Sequence, residues 1–444
     1  MRAQLLKLID SLPRNFWVLP GLMLLGSIGL YAITVASNDS AWVALLKHYD
    51  VVYGGSPTGA QQIVSVIAQT MIAIASLVFA AVVVVLTLAT SQFGHRLIRS
   101  FMHDKSLQFG LGIFVATFVY CLLVLHMMHG GGASVPSLSV SVAFYLAIIA
   151  GATLIYLTHH IAQMIAAPSV IAEVGAEMDE TIDRAYPQDA EETPAQEKTD
   201  ALLERLEHGG TNVCSMANGY IQTLDTAGLV NLACEHDAVI ELLCRPGDYL
   251  FDGSPIAKVC PAERCDTELS RTIREHMTMG NRRTPVQDLI FAFNQIAEIA
   301  VRAMSPALND PFTALDCVNR IGAGIGRLAQ RNEPSPWLSD ADGELRLIIR
   351  PVSFAELVGT AFTPVRNYSR ASVIVTLQML RTIEGLASLL RSDDQRRVLA
   401  LQATLIRRGA DEGLTEKHDR EAAQNAYERT LHGLGLEDVD LHSG

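Results

Sequence analysis

The chain has 444 residues, 49% of them apolar, and carries 34 Lys and Arg against 47 Asp and Glu, a formal net charge of −13. The acidic balance gathers largely after residue 160, in a stretch long enough for one or two compact domains, and it argues against nucleic-acid binding, which requires a basic face. Two runs, 51–94 and 106–172, contain no Asp, Glu, Lys or Arg, which excludes a wholly water-borne chain and makes the lipid bilayer its first partner.

Four transmembrane helices are predicted, at 16–36, 63–90, 109–128 and 138–157, within a membrane domain of 1–168. The first matches a hydrocarbon core of ~30 Å at ~1.5 Å per residue; the second exceeds it and must tilt or protrude. A turn at Gly130, Gly131 and Gly132 pairs the third and fourth spans antiparallel. Arg2, Lys7 and Arg14 precede the first span, and Arg96, Arg99 and Lys105 fill the loop after the second, whereas the opposite loops hold only Lys47. The bias predicts a multi-pass protein of the bacterial inner membrane with both termini cytoplasmic. The first apolar run exceeds a signal-peptide core and lacks a good small-residue cleavage site, so it reads as a retained span.

The second span carries a stripe of polar and small residues: Ser65, Gln69, Ala73, Ser76, Ala80, Thr87 and Ser91, with Val83 among them. Steps of three and four place them on one helical face, leaving Ile67, Met71, Ile74, Val78, Val82 and Val85 for lipid or apolar neighbours. Two roles fit the stripe, close helix packing or the lining of a narrow uncharged path in an oligomer. Gly112 and Ala116 on the third span, and Ala143, Ala147 and Gly151 on the fourth, repeat the small-residue spacing. No span holds a carboxylate, which disfavours proton relay. His126, His129, His159 and His160 flank the last two spans and read as interfacial side chains.

Beyond the membrane, an amphipathic stalk and acidic linker are predicted over 169–208, with Ile165, Val170, Val174, Met178 and Ile182 on the stalk's apolar side. Short apolar runs at 211–215, 219–224, 238–244 and 256–259, with a brief helix capped by Asp225 after the second, predict a small β-sandwich or barrel-like module over 209–262. It is similar to lipoyl-like modules, although Lys258 falls in a strand rather than at a hairpin tip. Helices dominate 263–444: Thr284 with Pro285 and Asp310 with Pro311 signal two starts, Ser353 with Glu356 a capping box, and amphipathic runs at 371–391, 393–408 and 416–431 complete a bundle. A strand or hairpin is expected at 344–350. The fold class is thus four membrane helices followed by a cytoplasmic α+β part.

Of the seven cysteines, Cys121 lies in a span and the other six are expected as buried thiols; Cys260 and Cys265 lack a second ligand pair, so no metal is expected. No Walker loop, HExxH, nucleophile elbow or dinucleotide fingerprint occurs, and neither an enzyme nor a cofactor is expected. Asn294, Glu298 and Arg302, and likewise Asp316 and Arg320, stand four apart and read as intrahelical pairs. Arg282 and Arg283, before the Thr284 cap, are candidate ligands for an anion at a helix N-terminus.

Residues 91–99 (SQFGHRLIR), 114–120 (FVATFVY), 245–248 (RPGD) and 305–314 (SPALNDPFTA) carry a resemblance over nearly the whole chain to the bacterial predicted-membrane-protein family catalogued as domain of unknown function 2254. The resemblance implies a group of N-terminal spans followed by a soluble domain and carries over no catalytic residue. The expected function is a homo-oligomeric channel or transport-type protein passing an ion or small solute, its cytoplasmic part serving assembly or regulation. The alternative is a membrane-anchored sensor or scaffold without a path.

Overall fold

A computed structural model describes residues 16–37, 52–93, 104–129, 136–164, 166–186 and 209–436. The glycine turn at 130–132, most of the 91–99 motif and the acidic linker lie outside the described residues. The chain divides into two compact units, Met1–Ser169 and Val170–Gly444.

The first unit contains four helices long and apolar enough to cross a membrane: α1 (Val18–Ala36), α2 (Pro57–Phe93), α3 (Lys105–His129) and α4 (Ser137–Met164). Each contains the corresponding sequence-predicted span or most of it. At 37 residues α2 is about 56 Å long, far more than a ~30 Å hydrocarbon core needs. The central helix is α3, packed against all three others. Two glycines set its approach: a Cβ at Gly112 would stand 2.5 Å from Met23 Sδ on α1, and one at Gly110 2.8 Å from Leu157 Cδ2 on α4. With no hydrophobic drive between helices in lipid, such close backbone packing and buried hydroxyls hold the bundle. Tyr120 Oη donates to Ser139 O (3.2 Å) and lies 3.0 Å from Thr34 Oγ1, tying α3 to α4 and α1 in the buried interior.

The second unit opens with α5 (Ala167–Ala185), the helix expected as a stalk. Its apolar side is not open to solvent: Val170, Val174, Met178 and Ile182 are buried. Strands β1 (Thr211–Cys214), β2 (Gly219–Leu224), β3 (Val239–Leu242), β4 (Tyr249–Leu250) and β5 (Pro255–Cys260) follow, with α6 (Thr226–Glu235) after β2. Asp225 caps α6 as expected, accepting from Gly228 N at 3.0 Å. Next come α7 (Thr267–Glu275) and β6 (Met277–Gly280).

No closed barrel forms. The strands make two open sheets: a five-stranded one in the order β1-β5-β3-β8-β7, and a three-stranded one in the order β4-β2-β6. β7 (Trp337–Ser339) and β8 (Leu345–Ile348) arrive from far along the chain, and β8 pairs with β3 in parallel, Ile240 opposite Leu347. A parallel pair needs a long crossover, here residues 243–344, which is why a self-contained sandwich does not close within 209–262. Leu229, Leu232, Leu269 and Ile273 of the two short helices cover the sheet core of Ile240, Leu242, Val259 and Leu347.

The remaining helices are α8 (Leu289–Ala303), α9 (Pro311–Ala329), α10 (Phe354–Tyr368), α11 (Val373–Leu386), α12 (Asp393–Gly413) and α13 (Lys417–Leu434). α8 begins at Asp288 rather than at Thr284-Pro285. The Asp288 carboxylate accepts from Phe291 N (2.9 Å) and so supplies the cap. Asp310 caps α9 through Thr313 N (3.1 Å). Ser353 accepts from Glu356 N (3.2 Å), but the Glu356 carboxylate reaches Arg245 instead of completing the box. Glycines let α5, α8 and α9 meet: a Cβ at Gly324 would collide with Met178 of α5 and crowd Phe293 of α8.

None of the seven cysteines forms a disulfide, and they are not uniformly buried: Cys244, Cys260 and Cys317 are, whereas Cys234 is exposed on the last turn of α6. Burial pushes the Cys244 thiol up to about 12, which keeps it protonated and inert.

Candidate functional site

Of the predicted α2 stripe, Gln69, Ala73, Ser76, Ala80, Thr87 and Ser91 are exposed on the single chain, and Ser65 is half-buried. The face buried in the bundle is the other one, with Val64, Ile67, Ala68, Met71, Ala75 and Val78 in the core. Ile67, Met71 and Val78 therefore face the neighbouring helices. Among the described residues the stripe from Gln69 onward therefore lies outside the bundle, beside large apolar side chains that are exposed as well, Leu77, Phe79 and Val84.

The hydroxyls along the stripe turn back onto the helix. Ser76 Oγ donates to Ile72 O (2.9 Å), Thr87 Oγ1 to Val83 O (2.8 Å) and Ser91 Oγ to Leu88 O (2.8 Å). Such back-bonding satisfies a hydroxyl in an apolar setting. The Gln69 amide has more to satisfy, two N–H groups and a carbonyl, and within the helix its Nε2 donates to Ser65 Oγ at 3.2 Å.

Polar contacts fasten both ends of the bundle. At one end His129 Nε2 lies 2.8 Å from Gln61 Nε2, and Tyr53 N donates to Ser141 Oγ (2.8 Å). At the other, Asp104 caps α3 through Leu107 N (2.8 Å) and pairs with His160 Nε2 at 2.9 Å, while Tyr156 stacks on the His160 ring. Each of these two histidines joins one helix to another. Among the described residues no three His, Cys, Asp or Glu side chains cluster as a metal centre.

In the second unit Arg283 is not available to an outside anion. Its Nε and Nη2 donate to the Asp288 carboxylate at 2.7 and 2.8 Å, and Asp288 is 2% exposed. The carboxylate of the chain itself occupies the helix N-terminus where an anion was expected. Arg282 is exposed, and its carbonyl accepts from Gln222 Nε2 at 2.9 Å. The RPGD turn closes over this pair: Gly247 has φ +97°, and a Cβ there would collide with Asp288 and approach Arg283 Nη2 to 2.7 Å. Arg245, at the turn's start, donates through Nη1 to Glu356 at 2.9 Å, and that carboxylate holds the Arg245 pKa above its ordinary value. The motif is a clamp between the β-rich part and the helices α8 and α10.

Arg302 pairs with Glu298 (3.1 Å) as the four-residue spacing predicts. Arg320 does not turn to Asp316; it pairs with Asp179 of α5. Arg327 and Arg331 share Asp183, one turn further along α5. These pairs dock α5 on α9.

A site that the sequence did not single out lies on the seam of α9 and α11. It is an open groove of about 610 Å³ whose lining includes Arg327, Arg381, Asn319 and Gln378 and contains no Asp or Glu. The lining residues of the two helices stand some sixty positions apart in sequence, and no local motif joins them.

Residues 13–385 match the family described as Predicted membrane protein (DUF2254). The chain belongs to DUF2254. The match contains all four apolar helices, both sheets and the RPGD clamp, and it ends within α11, so α12 and α13 lie beyond it. An uncharacterized protein of Mycobacterium tuberculosis is 29% identical over 435 residues, covering 95% of this chain and 81% of that protein. An uncharacterized protein of Mycobacterium bovis is similar to the same extent, 29% identical over 435 residues. No solved structure matches the chain.

Proposed function

We propose that this DUF2254 member is a homo-oligomeric channel or transport-type protein of the bacterial inner membrane that passes an ion or small solute, with both termini cytoplasmic and the second unit serving assembly or regulation. The Gln69 amide carries the proposal. It is exposed on the single chain about two turns inside the apolar run of α2, and an amide facing hydrocarbon without full hydrogen bonding costs several kcal/mol. Another copy of the chain, or water in a path between copies, removes that cost. The small residues Ala73, Ser76 and Ala80 beside it permit close approach of a second α2.

The test is flux. The purified protein, reconstituted in liposomes, is expected to pass an ion or small solute under voltage, pH or osmotic steps, and Gln69→Leu is expected to reduce that flux. Absence of flux in every condition overturns the proposal. A second reading, a membrane-anchored sensor or scaffold, is supported by the back-bonded hydroxyls of Ser76, Thr87 and Ser91, which tolerate lipid without a partner. A particle of one or two copies with no path along α2 decides for it.

A further inference from the structure

The α9–α11 groove has a charge that the rest of the chain does not lead one to expect. The protein as a whole carries −13, yet this lining holds two guanidinium groups and no carboxylate. Glu384 lies one turn from Arg381 on α11, but it is turned away: a Cβ at Gly433 of α13 would stand 3.6 Å from its Cγ. Among the described residues Arg381 has no ion pair. Arg327 does have a partner, Asp183 of α5, but Arg331 shares the same carboxylate. The lining of the groove thus carries two guanidinium groups, one without an ion pair and one on a shared carboxylate, and its net charge is positive.

The backbone shapes the groove by two uses of glycine. Gly322 and Gly326 bring the helices together: a Cβ at the first would collide with Thr382, and one at the second would stand 2.9 Å from Leu389 Cδ1. Gly385 does the opposite. It lies in the last turn of α11, lines the groove, and has nothing within 4 Å of its missing Cβ, so close packing does not require it. A glycine there costs about 0.5–1 kcal/mol of helix stability relative to alanine, and its effect is to leave the space open.

The contacts of Gly322 with Thr382 and of Asn319 with Gln378, whose amide donates to it at 2.5 Å, give the two helices a parallel register. That register sets Arg381 and Arg327 about 8 Å apart along the seam, at ~1.5 Å per residue. Two guanidinium arms can close on one anion across that span, and their forked N–H groups suit phosphoryl oxygens. The volume falls in the range of ~300–1,000 Å³ usual for small-molecule sites.

We propose that the groove between α9 and α11 binds a small phosphate-bearing ligand, with Arg381 and Arg327 on the phosphoryl group and the space beside Gly385 taken by the rest of the molecule. An anion there competes with Asp183 for Arg327, and Asp183 stands on the helix that directly follows the last apolar span, so occupancy loosens one of the contacts that dock α5. This inference does not depend on whether the protein conducts.

Titration calorimetry on the full-length protein in detergent tests it, with inorganic phosphate, AMP, glycerol 3-phosphate and short-chain phosphatidic acid as probes. At least one probe is expected to bind with one site per chain. Binding by the soluble esters assigns a free metabolite, and binding by phosphatidic acid alone assigns a lipid headgroup. Arg381→Gln is expected to weaken the bound probe at least tenfold. Gly385→Leu, whose Cβ would have nothing within 4 Å, is expected to block an ester while leaving the melting temperature within a few degrees of wild type. No binding by any of the four probes, or unchanged affinity in Arg381→Gln, overturns the proposal.

Discussion

Asp288 holds two positions at once, and replacing it separates them. Its carboxylate caps α8 through Phe291 N and takes both forks of Arg283, whose side chain is only 25% exposed. Losing an aspartate cap costs about 1 kcal/mol. Breaking a fully buried ion pair from one side costs about 3–5 kcal/mol, and the partial exposure of Arg283 lowers that to about 2 kcal/mol. Asp288→Ala is therefore expected to lose about 3 kcal/mol, which at ~2–4 °C per kcal/mol is a fall of ~6–12 °C in the melting temperature of the second unit. Asp288→Asn keeps a good cap and gives up the charge, so it is expected to fall by about two-thirds as much. Trp337 on β7 is the tryptophan of this unit, and in a full chain with Trp17→Phe and Trp42→Phe its fluorescence during thermal unfolding in detergent reads the shift. Equal losses in the two variants, or losses under about 2 °C in both, refute the double role.

Further outcomes follow from the same geometry. Gly247→Ala forces a side chain into φ +97° and into the Arg283–Asp288 pair, and is expected to cost about 2 kcal/mol or more, read by the same melting curve. Hydrogen bonds from Arg327, together with the charges of Arg327 and Arg331, hold the Asp183 carboxyl below its ordinary 3.8. A lowered folded-state value means that the stabilisation is whole above pH 3.8 and is lost as pH falls through the folded-state value beneath it. Melting temperature against pH is expected to bend downward below about 4, and Asp183→Asn to show a shallower acid limb; an unchanged limb counts against the pairing. In the membrane unit, Tyr120→Phe removes the hydroxyl shared with Thr34 and Ser139 and is expected to cost about 0.6–2 kcal/mol, seen as an earlier loss of the monodisperse peak on heating.

Local signals in the sequence carried most of the elements. An uncharged run such as 106–172 has no stable place in water, and Asp225, Asp310 and Ser353 each cap the helix that their position announces. Long-range pairing was not visible. Nothing near 239–242 says that its parallel neighbour is 345–348, and without that partner the strands of 209–260 look like a closed module. The start of α8 differs from the Thr284-Pro285 signal because the aspartate four positions on from Thr284 has the stronger acceptor and a guanidinium to hold it. For the candidate sites, the face shared by Gln69, Ser76 and Thr87 was legible from spacing, and its exposure was not, since that depends on which side α3 packs. Arg283 reads as free in the sequence because no local signal marks Asp288 as the helix cap that holds it. The groove could not be read at all: Arg327 and Arg381 meet only through the packing of α9 on α11.

The parallel pairing of β3 with β8 also sets a timetable for synthesis. When β3 leaves the ribosome its edge has bare N–H and C=O groups, and the strand that covers them is encoded more than a hundred residues later. At ~5–20 residues per second the nascent sheet waits on the order of ten seconds with that edge open, long enough for chaperones to engage it or for two polysomal chains to pair wrongly.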